Sequence, residues 1–75
     1  MDRITIDSNI CNGKPVVKGT RITVQSIFEF LQAGNTLDEI LLEYPALSLA
    51  DINSCYEFAA RMASNSFHIE SMKVN

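Results

Sequence analysis

Between residues 12 and 24 the chain reads NGKPVVKGTRITV. Three cations, Lys14, Lys18 and Arg21, are interleaved there with Gly13, Pro15, Gly19 and Thr20. Three kinds of chemistry use such a mixture: a phosphate-cradling loop, a nucleic-acid arm, and a purely structural turn. A phosphate loop needs glycine, four residues, glycine, then lysine and a hydroxyl residue, set between a strand and a helix. Here Lys18 comes before Gly19 and Thr20, so the turn does not carry it onto a cradled phosphate. No acidic magnesium ligand follows at the end of a buried strand either. The order of residues therefore argues against a nucleotide site.

The other two readings stand side by side. As an arm, Lys14, Lys18 and Arg21 would meet phosphate, and Thr20 would add its hydroxyl or backbone N–H. A helix beginning just after them would add its own positive end. As a turn, Gly19 supplies a left-handed residue and Arg21 pairs with acidic Glu39 or Glu43. The two roles are compatible.

Elsewhere the chemistry is sparse. His68 is the one histidine, and Cys11 and Cys55 lie far apart in sequence. No paired spacing resembles a zinc site. A Cys–His couple is conceivable only through folding, and the plainer expectation puts Cys55 in the core and His68 on the surface. Asp38 and Glu39 fall at a helix start, where the helix dipole accounts for them. No catalytic residue, metal or cofactor is expected.

The elements that must position the basic stretch follow from periodicity. RITI, residues 3–6, alternates polar and apolar with β-branched side chains and predicts a strand. DSNICNG after it is rich in turn formers. PVV, residues 15–17, predicts a second strand, with Pro15 at its start or edge. Residues 1–22 thus form a β arm or hairpin.

Helices are predicted over residues 23–63. Val24, Ile27, Phe28 and Leu31 share one helical face, with Thr23 as N-cap and Gly34 as the stop. Thr36 and Glu39 form a capping box for a second helix, whose face is Leu37, Ile40, Leu41 and Tyr44 and whose end is Pro45. Ser48 caps a third helix, with Asp51 in its first turn. Leu49, Ile52, Tyr56, Ala59 and Ala63 are its expected core face, and small Ala59, Ala60 and Ala63 would admit a second helix closely. Residues 64–75 fit neither period and are read as a tail. Its Phe67, Ile69 and Met72 would order on a protein partner.

Three helices with short connections match a helix-turn-helix unit, whose second helix braces while the third reads the major groove. Ala50, Asp51, Asn53 and Ser54 are the expected outward positions near the start of the third helix. Asn53 can pair with adenine, and Ser54 can donate or accept. Asp51 opposes phosphate, and no Lys or Arg precedes Arg61 in that helix, so it is a poor stand-alone DNA reader.

Seventy-five residues make one domain. A chain of this size buries only about 60% of its unfolded surface, and at its usual scale net stability is about 4–11 kcal/mol. A partner or a second copy, a homodimer first of all, is expected. The net charge of −3 is uneven: residues 1–24 carry four basic and two acidic side chains, residues 25–75 two basic and seven acidic. Nucleic-acid contact is therefore confined to the front of the chain. MDRITIDSN has no apolar signal-peptide core, and no apolar run approaches the ~20 residues of a membrane span. Two cysteines are too few for a disulfide framework and suit reduced thiols in the cytoplasm.

The order of motifs is itself distinctive. CNGKPVVKGTRITV, then FEFLQAGNTLDEILLEYP, then LSLADINSCYEFA resembles a widespread prokaryotic family of short proteins, the domain-of-unknown-function family four-thirty-three, also described as VapB-type antitoxin-like. The resemblance runs from Ile4 to Ala60. Gly13, Lys14, Pro15, Lys18, Gly19, Thr20, Arg21, Gly34, Tyr44 and Pro45 carry it. It implies a mainly α, three-helix domain of homeodomain-like or winged-helix-like kind with a short β arm. It also implies a non-enzymatic antitoxin that binds a toxin resembling PIN-domain ribonucleases and represses its own operator DNA. On that expectation Lys14, Lys18, Thr20 and Arg21 contact phosphate or minor groove, and Asn53 and Ser54 touch bases. The alternative is a protein-interaction module that never meets nucleic acid.

Overall fold

The computed structural model describes residues 3–67, with side chains through residue 64. Two short strands come first, β1 (Ile4–Thr5) and β2 (Val16–Val17), followed by helices α1 (Val24–Gln32), α2 (Leu37–Glu43) and α3 (Leu49–Phe67). β1 and β2 pair antiparallel, with Ile4 opposite Val17 and Thr5 opposite Val16. The Lys18 N–H extends that ladder by donating to the Arg3 carbonyl at 2.7 Å. The other edge of β2 is used as well. Val17 N–H donates to the Ile22 carbonyl, Val24 N–H donates to the Pro15 carbonyl, and Val16 bridges Thr23. β2 is thus a central strand with residues 22–24 folded back along it, and Val16 and Val17 are buried. The first strand is shorter than its alternating pattern suggests, because Ile6 leaves the ladder and stays exposed.

The turn-forming segment between the strands closes on itself. The Asp7 carboxylate accepts from Asn9 N–H, and the Asp7 carbonyl accepts from Ile10 N–H. Cys11, Asn12 and Gly13 then form a single tight turn with φ of 50°, 59° and 81°.

Each helix starts at the residue that its sequence signals name, and α1 and α2 also end there. The Thr23 hydroxyl accepts from Ser26 N–H at 3.0 Å and starts α1. At the other end Gly34 takes φ 99°, its N–H donating to Leu31 and that of Asn35 to Phe30. These paired bonds satisfy carbonyls that the helix end leaves open. The α2 capping box is complete in both directions, Glu39 N–H to Thr36 and Thr36 N–H to Glu39. Ser48 and Asp51 repeat that reciprocal pattern at α3.

The core draws one isoleucine from each helix. Ile27, Ile40 and Ile52 are wholly inaccessible and cluster with Val17, Val24, Leu47 and Cys55. Around it, Phe28 meets Tyr56 edge-on at 5.7 Å, and Phe30 meets Tyr44 edge-on at 5.5 Å.

α3 departs from expectation in two ways. It runs to Phe67 rather than stopping at residue 63. Its inward face is also rotated: Asp51, Ile52, Ser54 and Cys55 are buried, while Leu49 and Tyr56 are 52% and 41% exposed. The cause is polar. Asp51 accepts from Ser48 N–H at 2.9 Å, and its other oxygen takes an ion pair from Arg3 at 3.2 Å. That pair binds the start of α3 to the residue before β1 and turns the Asp51 side inward.

Burial alone pushes the Asp51 carboxyl up, but the Ser48 N–H, the Arg3 guanidinium and the Ser48 hydroxyl outweigh it. Its pKa ends below the ordinary value. The native state therefore binds this proton less readily than the unfolded chain does. Its contribution to stability is full above about pH 4 and fades as pH falls through the depressed folded-state value.

Two expectations follow for equilibrium unfolding in urea. Ile40→Ala should lose about 2–5 kcal/mol, whereas Leu42→Ala, at an 81% exposed position, should stay within about 0.5 kcal/mol. Similar losses for the two would contradict the orientation of α2. Asp51→Asn should cost about 1–2 kcal/mol at neutral pH. Its stability should also depend less steeply on pH below about 4. Parallel acid profiles for variant and parent would refute the role given to this carboxylate.

Candidate nucleic-acid interface

The basic stretch folds as the tip of the hairpin formed by β2 and residues 22–24. Val17, Lys18, Gly19 and Thr20 make the reversal, closed by Thr20 N–H donating to the Val17 carbonyl at 3.0 Å. Gly19 stands at the third position with φ 83°, where a four-residue turn of this kind requires a left-handed residue. A β-carbon there would meet nothing within 4 Å, so the glycine answers to backbone conformation and not to crowding.

Thr20 differs from expectation. Its hydroxyl donates to the Val17 carbonyl at 2.8 Å and accepts from Ile22 N–H at 3.0 Å, and its own N–H closes the turn. Both groups proposed for phosphate are spent inside the hairpin. The N-terminus of α1 is similarly occupied: Val24 N–H goes to Pro15, Ser26 N–H to the Thr23 hydroxyl, and Ile27 N–H to the Thr23 carbonyl. Little remains there to receive an anion.

The cations are presented outward. Lys14, Lys18 and Arg21 are exposed. Arg21 makes no ion pair with Glu39 or Glu43 among the described residues, contrary to the structural-turn expectation, and Lys18 has no acidic partner there either. Lys14 leans on α1, donating to the Gln25 amide oxygen at 3.2 Å, and Gln25 in turn donates to Glu29 at 3.0 Å. Cys11 gathers two of these positions. Its carbonyl accepts from Lys14 N–H, and its thiol donates to the Arg21 carbonyl at 3.4 Å. The backbones of Lys14 and Arg21 are thereby held against the same tight turn.

On α3, Asn53 is exposed as expected, whereas Ser54 and Asp51 are buried. The rotation that turns Asp51 toward Arg3 takes Ser54 out of reach of a base. Asp51 is also neutralised by Arg3, so it does not present the bare charge that would repel phosphate. Residues 44–48 join α2 to α3, with Leu47 buried between them.

The remaining candidates separate cleanly. Cys55 is fully buried, and burial, followed by the Asp51 charge, pushes its thiol up to about 11. Such a thiol is almost wholly protonated at neutral pH, which disfavours it as a nucleophile. Cys11 is half-buried, and the two cysteines are not joined. Among the described residues no cluster of His, Cys, Asp and Glu is arranged to hold a metal ion, and no helix is long and apolar enough to cross a membrane. His68, Ile69 and Met72 lie outside the described residues, and Phe67 ends α3.

Two features were not anticipated from sequence. One is the Arg3–Asp51 pair, whose members are 48 residues apart. The other is an apolar groove of about 360 Å³ between α1 and α3, lined by Val24, Phe28, Phe58, Ala59, Met62 and Ala63. The excess of apolar side chains late in α3 was its one visible signal.

The fold is therefore a small, mainly helical domain, three helices with a short two-stranded antiparallel sheet at the N-terminal end and an exposed basic turn after β2. Residues 4–59 match the family described as "Protein of unknown function (DUF433)", and the chain belongs to that family. It is also similar to the crystal structure of a DUF433 member protein from Anabaena variabilis, with 26% identity and a TM-score of 0.78. The similarity covers 81% of this chain and 60% of that one, so this chain spans less than two thirds of its structural relative. No curated protein matches.

Thiol labelling checks the cysteine assignment. In the native protein Cys11 should react with a soluble disulfide reagent while Cys55 stays silent until the chain is unfolded. Rapid native labelling of Cys55 would reopen a thiol chemistry.

Proposed function

We propose that this chain is a non-enzymatic, antitoxin-like protein that binds its own operator DNA and a toxin resembling PIN-domain ribonucleases. The observation that carries the DNA half is the hairpin tip, where Lys18 and Arg21 are exposed with no acidic partner among the described residues. Unneutralised cations on a rigid turn release counterions when they meet phosphate, which is the source of salt-dependent affinity. Lys14, beside the same Cys11 turn, extends the patch. The contact is led by the hairpin, on phosphate or in the minor groove, with the α2–α3 pair behind it in a helix-turn-helix arrangement.

The toxin half rests on the family resemblance. It is supported by the exposed surface of α2, where Asp38, Glu39 and Glu43 accompany an exposed Leu42. An acidic surface with an apolar centre suits a basic protein partner. The same surface supports the second reading, a protein-interaction module without nucleic acid.

Fluorescence anisotropy with DNA from just upstream of the reading frame, across a salt series, separates the two. The parent should bind, with affinity falling as salt rises. Lys18→Glu combined with Arg21→Glu should abolish binding with an unchanged melting temperature, since both side chains are exposed. Removing one phosphate-neutralising cation at a time should flatten the salt slope by about 0.9 per cation. Unaltered affinity in the double variant removes the hairpin from the DNA contact, and no binding at low salt leaves the interaction module.

A further inference from the structure

Among the described residues, two hydrogen bonds tie Lys18–Arg21 to parts of the chain outside residues 15–24. One is weak: the Cys11 thiol donates to the Arg21 carbonyl at 3.4 Å, and a thiol is a poor donor. The other is the Lys18 N–H to the Arg3 carbonyl at 2.7 Å. The bonds of Thr20 to Val17 and Ile22 are internal to the reversal. They set its shape but not its direction relative to the helices.

Arg3 is itself held from a distance. It precedes a strand of two residues, and a ladder that short is marginal on its own. Ile4 packs half-buried against the core. The Arg3 side chain adds a second anchor, donating to the Asp51 carboxylate at 3.2 Å. The Asp51 side chain is only 12% exposed, and its other oxygen accepts from the Ser48 N–H and hydroxyl at the start of α3. A continuous series of bonds therefore runs from Lys18 through Arg3 and Asp51 to Ser48.

We infer that Arg3 is a positioning residue for the basic turn: its guanidinium takes its place from α3, and its carbonyl passes that place to Lys18. Arg3 does not meet nucleic acid itself. Asp51 already neutralises its charge, whereas Lys18 and Arg21 have no acidic partner among the described residues. The consequence for nucleic-acid binding rests on the operator-DNA reading, while the tie between α3 and the turn does not.

The tie is tested without DNA. Amide exchange followed by NMR should show the Lys18 N–H speeding at least about threefold in Arg3→Gln and in Asp51→Asn. The Thr20 N–H, internal to the same turn, should keep its rate. Arg3→Lys, which retains the charge, should lie closer to the parent than Arg3→Gln does. Equal acceleration of both amides, or none at Lys18, overturns the tie.

Operator binding by anisotropy, at a temperature where circular dichroism shows every variant folded, tests the consequence. Loss of the Asp51 charge by itself strengthens attraction to DNA. A positioning role predicts the opposite sign. Asp51→Asn and Arg3→Gln should each bind at least about threefold more weakly. The salt slope of the parent should be kept, because the phosphate-neutralising cations are unchanged. Tighter binding by Asp51→Asn, or a slope flatter by about 0.9 in Arg3→Gln, makes Arg3 a phosphate ligand and overturns the positioning role, as does unchanged affinity in both variants. A parent that binds no DNA removes the operator reading and this consequence with it, and Lys18 exchange alone then decides the tie.

Discussion

Asp51 holds the architecture to one arrangement. Its two oxygens serve different elements, one the first turn of α3 through Ser48 and the other the residue before β1 through Arg3. The second of these ties crosses most of the chain. A carboxylate that must satisfy both donors has few orientations, and α3 is rotated to suit it. The apolar consequences follow from that rotation. Ile52 and Cys55 enter the core, Ser54 is carried inward with them, and Leu49 and Tyr56 are left outside. A stripe of apolar residues does not by itself choose which way a helix faces when a second stripe lies beside it, and here the contacts of Asp51 add to the face that carries Ile52 and Cys55.

This explains what could be foreseen from sequence and what could not. Helix starts, and the ends of α1 and α2, were legible because capping is local, whereas α3 runs four residues past its expected end. Thr23, Thr36 with Glu39, Gly34 and Ser48 act on neighbours within a few residues, and all of them sit where their types and spacing indicate. The strands were legible for the same reason, though β1 is trimmed where Ile6 leaves the ladder. The face of α3 was not legible, because Leu49 and Tyr56 satisfy helical spacing as well as Ile52 does, and the tie to Arg3 spans 48 positions with no signature. The candidate site divides along similar lines. Lys14, Lys18 and Arg21 stand outward as charged residues of a turn should. Thr20 does not, because a short hydroxyl side chain in a tight reversal finds its own backbone before it finds a ligand.

Charge is distributed by architecture and not only by composition. Lys18 and Arg21 stand exposed at and just after the turn that follows β2, with Lys14 before that strand, while Asp38, Glu39 and Glu43 occupy the exposed surface of α2. Arg3 and Asp51, which would have blurred this division, cancel each other at the junction. A chain whose net charge is only −3 therefore carries exposed patches of both signs. Long-range attraction depends on such local fields more than on net charge, and it orients an approaching partner before contact.

The tight turn at Cys11–Gly13 gives that field its fixed direction. Two of its three residues hold positive φ without being glycine, an arrangement that costs roughly 1–2 kcal/mol at Cys11 and less at Asn12, a type that visits the left-handed region more readily. The surrounding bonds, Gly13 to Ile10, Lys14 to Cys11 and the Cys11 thiol to Arg21, keep it in place. A slack connector would cost the fold less but would leave the hairpin tip to sample many directions, and a ligand would have to freeze them on arrival. Here that loss of freedom is met during folding. A ligand that met the tip would therefore have little backbone freedom left to freeze, and its cost of binding would be smaller by that amount.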